Sequence, residues 1–261
     1  MKPHELAFEN ALLEGVLSLR FKRQDYLDLI ECTPQEAYRF LHSRHVSITM
    51  DDIENADAWY ARQIEGLVEA FQSQQLGSIL RPLAYRDAVL AKHLGLDDVS
   101  DGEALSAYHD HALSYPHSIR SFFTLACDQI IVMRLLRGKD VNAALVGRGI
   151  GRLTWDELSR INRSSAAEVS AVIDHAYPQL FQDSLSQWQH SGKRIWVNET
   201  FERCLDQALQ IERDTMLGQA GLLSRTFRIL NEWFSIRLCL KAKHQWIDPE
   251  LQMRLVRCFD A

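Results

Sequence analysis

One run of residues occurs twice, and that repetition constrains the fold more than any other feature. Phe123 to Lys139 returns 104 positions later as Phe227 to Lys243: Phe123 falls on Phe227, Asp128 on Glu232, Leu136 on Leu240, Arg137 on Lys241 and Lys139 on Lys243. Both copies have helical spacing. Ile119, Phe122, Phe123, Ala126, Ile130 and Met133 share one face in the first, and Phe227, Leu230, Phe234 and Leu238 share one in the second. Each carries one acid in mid-helix and a basic pair at the C-terminal end, where the helix dipole favours cations. A helix repeated with this charge layout predicts an architecture built from duplicated helical units.

The rest of the chain carries the same duplication. Thr33-Pro34-Gln35-Glu36 is a capping box, with a hydroxyl at the cap, proline at the first helical position and glutamate three residues on. Ser165-Ala166-Ala167-Glu168 repeats it 132 residues later. A first helix is expected through Leu6, Leu13 and Leu17, and short helices around Asp25–Ile30 and Trp155–Ile161. Thr49 precedes Asp51, Asp52 and Glu54, acids in the first turn of a helix that could run to Leu76, about 40 Å at 1.5 Å per residue. A further helix is expected over Glu199 to Leu217. The glycine-dense stretch Gly147-Arg148-Gly149-Ile150-Gly151 marks the junction. The fold predicted is all-α, in two internally repeated multi-helix units over 1–143 and 144–261.

Charge follows the repeat. Residues 51–76 hold six acids and one base, and 119–148 two acids and five bases. In the second copy 199–214 holds five acids and two bases, before 225–243 with one acid and five bases. Complementary antiparallel packing of acidic and basic helices within each copy would account for this. The whole chain has 29 basic and 35 acidic residues, a net charge of −6, which disfavours a general nucleic-acid binder or a polybasic membrane-surface protein. Five cysteines without a C-x-x-C pair predict reduced thiols, and the opening residues lack the apolar core of a signal peptide, so a cytosolic chain is expected.

Motifs for chemistry are sparse. Gly147, Gly149 and Gly151 follow a helix in the spacing G-x-G-x-G, not the strand-borne dinucleotide fingerprint, and Met133 and Gln187 stand where a P-loop needs glycine before Gly138-Lys139 and Gly192-Lys193. His109, Asp110, His111 and His117 form the densest group of ligand types, but residues two apart on a helix point to different faces. His42 and His45 have helical ligand spacing without a third ligand nearby. No nucleophile elbow occurs. Asp128 and Glu232 sit beside apolar stripes, so each needs a partner from another helix or a backbone N–H.

The order of these elements resembles the C subunit (subunit d in eukaryotic nomenclature) of V-type and archaeal-type rotary ATPases. The residues that carry the likeness are Asp128, Leu135-Leu136 and Arg137-Gly138-Lys139, then Gly147-Arg148-Gly149, then Leu158 and Ile161, with the ending returning at Leu240-Lys241-Ala242-Lys243. The family commonly has three such units in a funnel and this chain has two, so it is most similar to the short, divergent bacterial members. The resemblance implies a non-catalytic subunit without cofactor or metal, peripheral on the cytoplasmic face of the membrane. It would link the central stalk to the membrane rotor ring and pass torque during proton or sodium transport. It also implies that Asp128, Arg137, Lys139, Glu232, Lys241 and Lys243 are the repeat signature. Asp51, Asp52 and Glu54 are the candidate partner-binding acids, on charge alone. Two other readings stay open. One is an all-helical metal-dependent enzyme using the His109–His117 region, which stoichiometric metal in the purified protein would reveal. The other is a free-standing helical scaffold.

Overall fold

A computed structural model describes residues 21–71, 117–139, 143–146, 151–160, 165–210 and 219–245, with isolated positions elsewhere that include 13, 79–80, 83–84, 87, 141, 252 and 256. The described residues are helical with no strand, an all-α chain. Leu6 and Leu17 of the first expected helix and the glycines at 147 and 149 lie outside them, while Leu13 is helical and buried.

The chain divides into two compact units, Met1–Asp97 with Glu212–Ala261, and Asp98–Ile211. These boundaries differ from the repeat junction expected at 143/144. A basic-ended helix belongs with the elements that follow it in sequence, and the last one closes on the elements at the start of the chain.

In the first unit, α1 (Arg23–Glu31), α2 (Pro34–Ser43), α3 (Met50–Glu54) and α4 (Ala56–Phe71) join α11 (Gln219–Lys241). Local chemistry sets each start. The Lys22 N–H donates to Asp25 Oδ2 at 2.6 Å. The Thr33 capping box forms as expected, Glu36 Oε2 accepting from the Thr33 N–H at 2.8 Å and the Thr33 hydroxyl accepting from the Glu36 N–H. Thr49 and Asp52 make a second reciprocal box. The single helix expected over Asp51–Leu76 is broken at Asn55, whose backbone leaves the helical region (φ −124°, ψ 69°). The Asn55 side chain then accepts from the Ala58 N–H at 3.2 Å and starts α4 afresh. α11 packs on α4, α1 and α3, burying Tyr26, Leu29, Trp59, Ile64, Phe227 and Cys239.

In the second unit, α5 (His117–Leu135), α6 (Ala143–Val146), α7 (Trp155–Arg160), α8 (Ala166–Ala176), α9 (Gln182–Ser191) and α10 (Ile195–Gln210) follow in order. The Ser165 hydroxyl accepts from the Glu168 N–H at 3.3 Å, the predicted cap of α8. Gly192 ends α9 in the left-handed region (φ +68°), its N–H donating to the Trp188 carbonyl at 2.7 Å. α10 begins four residues before the expected Glu199. It packs on α5 and α9, and the rings of Tyr177, Phe181 and Phe201 fill the space beside it, with centroids 4.5–6.0 Å apart.

The acidic and basic helices do pair, but not within the sequence copies. α4 packs on α11 and α10 packs on α5. The apolar stripes are also broader than their spacing implied. On α5 Ile131, Val132 and Leu135 are buried, while Ile130 and Met133 are half-buried. On α11 Phe234 and Leu238 are half-buried, while Asn231 and Ser235 lie in the core.

Candidate functional site

The two mid-helix acids each receive the backbone that opens a helical series. Asp128 on α5 has no exposed surface. Its Oδ2 accepts from the Tyr177 hydroxyl at 2.5 Å and from the Arg152 N–H at 2.7 Å, and the Leu153 N–H also bears on the carboxyl. Tyr177 arrives as the C-cap of α8. The Arg152 guanidinium stands 5.0 Å over the Tyr177 ring. Gly151 completes the site by close approach, since a Cβ there would fall 2.0 Å from Asp128 Oδ1. On α11 the half-buried Glu232 accepts from the Phe21 N–H at 3.4 Å. Phe21 precedes Leu153 by the same 132 positions that relate Thr33 to Ser165.

That offset holds through the neighbouring contacts. Lys22 N–H to Asp25 recurs as Thr154 N–H to Glu157 Oε2 at 3.2 Å. Asp25 pairs with Arg44 at 2.6 Å and Glu157 with His175 at 2.6 Å, the second partner standing one position off the offset.

Electrostatics distinguish Asp128. Burial pushes its carboxyl above the ordinary 3.8, and the Tyr177, Arg152 and Leu153 hydrogen bonds and the Arg152 charge only partly oppose this. Burial, together with the Asp128 charge, pushes the Cys127 thiol and the Tyr177 phenol upward, so neither is a nucleophile or a base at neutral pH.

The cations at the helix ends differ between the units. Lys241 Nζ lies 2.9 Å from Asp57 Oδ2. One turn earlier, Arg237 reaches Asp57 at 2.7 Å and Asp87 at 2.9 Å and stacks on Tyr60 and Phe234. Lys243 Nζ donates to the Leu29 and Cys32 carbonyls, each at 2.5 Å, where α1 ends and its dipole is negative. Arg137 and Lys139 are exposed in the turn after α5, which Gly138 closes at φ +64°.

Of the candidate partner-binding acids, Asp51 and Glu54 are exposed. Asp52 is not a surface group. It is buried, caps α3 through the Thr49 N–H at 2.8 Å and pairs with Arg62. Burial opposes its ionisation, but the Arg62 and Thr49 hydrogen bonds outweigh burial and hold its carboxyl below 3.8.

His109, Asp110 and His111 lie outside the described residues, and His117 opens α5. Among the described residues no three His, Cys, Asp or Glu side chains converge as a metal site, and no helix is long and apolar enough to cross a membrane. Cys127, Cys204 and Cys239 are buried free thiols and Cys32 is half-buried.

Reading the sequence alone missed Tyr177 and Arg152 and gave Gly151 no role beyond marking the junction. The signal that could have found the 151–153 turn is the 132-residue offset extended back from Ser165, which leads from Leu153 to Phe21. No family model, no curated protein and no solved structure matches the chain.

Proposed function

We propose that this chain is a non-catalytic coupling subunit of a V-type rotary ATPase. It joins the central stalk to the membrane rotor ring and passes torque during proton or sodium transport, held on the cytoplasmic face of the membrane by its complex. The two compact units are copies of one design, a basic-ended helix followed by short capped helices and an acidic helix. The second basic-ended helix serves the copy at the start of the chain.

One observation carries this reading. Each basic-ended helix bears one acid that receives backbone N–H from the start of a helical series, Asp128 from Arg152 and Glu232 from Phe21. Asp128 and Glu232 are the mid-helix acids of the signature on which the family resemblance rests. The buried Asp128 and Tyr177 serve packing rather than chemistry. The repeat is an element that spaces and supports, as a torque-bearing part requires.

The test is co-purification. The chain should have no ATPase activity alone and should capture central-stalk subunits and a rotor ring. Binding that draws on exposed acids should weaken with salt, since such charges are screened over about 8–10 Å at physiological ionic strength. Asp51→Ser with Glu54→Ser tests that surface while leaving the Asp52 cap intact. Capture of neither stalk nor ring by the wild type overturns the reading, and stoichiometric zinc or iron in the purified chain would replace it with the metal-enzyme reading.

A further inference from the structure

Asp128 presents a problem that a structural carboxylate does not usually have. Its two oxygens live in unlike surroundings. Oδ2 takes the Tyr177 hydroxyl and the Arg152 N–H. Oδ1 is buried without a hydrogen-bond donor among the described residues, and the Gly151 backbone closes the space on that side, where even a Cβ would not fit. An ionised carboxyl spreads its charge over both oxygens, so leaving one of them buried without a donor is costly; protonation removes the charge and leaves only the smaller cost of a buried polar group.

The groups around it do not remove the imbalance. From the 151–153 turn come the Leu153 N–H and the Arg152 charge, and the Arg152 guanidinium stands over the Tyr177 ring. From α8 comes the Tyr177 hydroxyl, and Cys127 adjoins on α5 itself. From α10, Glu202 accepts from Gln129, the next residue along, at 2.8 Å, and the Cys204 thiol lies beside Tyr177. Burial raises the carboxyl's affinity for its proton, and the Tyr177, Arg152 and Leu153 hydrogen bonds with the Arg152 charge only partly oppose it.

We infer that Asp128 is a proton-sensitive latch. In its neutral form it holds the Gly151–Leu153 turn and Tyr177 against α5, and loss of its proton as pH rises loosens both. The inference stands apart from the coupling role, because it concerns the second unit in isolation from any partner.

The sign follows from linkage. A carboxyl that binds its proton more tightly folded than unfolded contributes stability that is complete below the unfolded value of 3.8 and is lost as pH rises through the folded value. The experiment is the unfolding equilibrium of the full chain from pH 5 to 8.5 for wild type and Asp128→Asn, with amide-exchange protection factors at 151–153. Asn keeps a neutral, isosteric acceptor. The wild-type folding constant, divided by that of the Asn variant, should fall as pH rises, by at most about tenfold per pH unit for one proton. Protection at 151–153 should fall with it in wild type only. Parallel pH profiles, or a wild type that gains on the variant as pH rises, overturn the latch. If Asp128→Asn does not fold, the wild type alone decides. A protonated-carboxyl infrared band that fades with pH in step with lost protection supports the latch, and no such band at pH 5 overturns it.

Discussion

At the scale of single residues, the 151–153 turn shows how little freedom a buried carboxyl leaves its neighbours. Gly151→Ala puts a methyl 2.0 Å from Asp128 Oδ1, and neither backbone nor carboxyl can yield without breaking the Arg152 and Tyr177 hydrogen bonds. A loss of about 1–3 kcal/mol is expected, as for overpacked cores. Denaturant unfolding measures it, and an unchanged midpoint would mean the turn is not seated on α5. Asp128→Ala removes both acceptor oxygens and strands the buried Tyr177 hydroxyl and the Arg152 N–H, which should cost about 3 kcal/mol. The spacing on α5 led to an acid beside an apolar stripe, and its need for a partner from elsewhere was legible. Which partner was not, since nothing local distinguishes Tyr177 from any other tyrosine.

At the scale of elements, the pairing of α4 with α11 rests on a cluster of opposite charges. Arg237 has only 14% of its side chain exposed and Asp87 only 4%, so removing the cation breaks a buried ion pair. Arg237→Ala should destabilise the chain by about 3 kcal/mol, a penalty typical of a broken buried pair. Asp57 reads out the same cluster through pH. Burial opposes its ionisation, but the Lys241 hydrogen bond and the charges of Arg237 and Lys241 outweigh burial and hold the carboxyl below 3.8. A depressed value contributes stability that is present above 3.8 and lost as pH falls through the folded value. Acid unfolding of wild type should therefore be steeper than that of Asp57→Asn. Matching acid limbs for the two proteins would show that Asp57 gains nothing from α11. Caps are simpler tests of the same elements: Thr33→Ala and Ser165→Ala should each lower stability by about 1 kcal/mol in urea titrations.

At the scale of the whole molecule, the two compact units differ in how the chain builds them. The second, Asp98–Ile211, is continuous, and the first draws on both ends of the chain. A fragment of residues 98–211 should therefore be helical and melt cooperatively by circular dichroism. A fragment of residues 1–143 has α1 to α4 without α11, and it carries α5 without the α10 helix that α5 packs on. It should show reduced helicity and a broad transition. The opposite outcome would restore the boundary at 143/144 and with it a pairing of acidic and basic helices inside each copy.

What the sequence determined by itself is what lies within a few residues along the chain. The all-α class, the caps at Thr33, Thr49 and Ser165, and the free thiols follow from periodicity, hydroxyl-to-N–H reach and cysteine spacing, interactions that close over three or four positions. The tertiary structure alone decided which helices meet. Residues 51–76, with six acids and one base, suit either basic helix, and charge complementarity without distance cannot choose between α5 and α11. The choice lies in contacts such as Arg237 with Asp57, 180 residues apart, and Asp128 with Tyr177, 49 apart. Asp52 turned inward for a related reason: a first-turn acid serves equally as a cap or as an exposed charge until Arg62 on the next helix arrives to pair with it. Burial and long-range pairing arise from chain closure and the exclusion of water, and neither leaves a trace in local spacing.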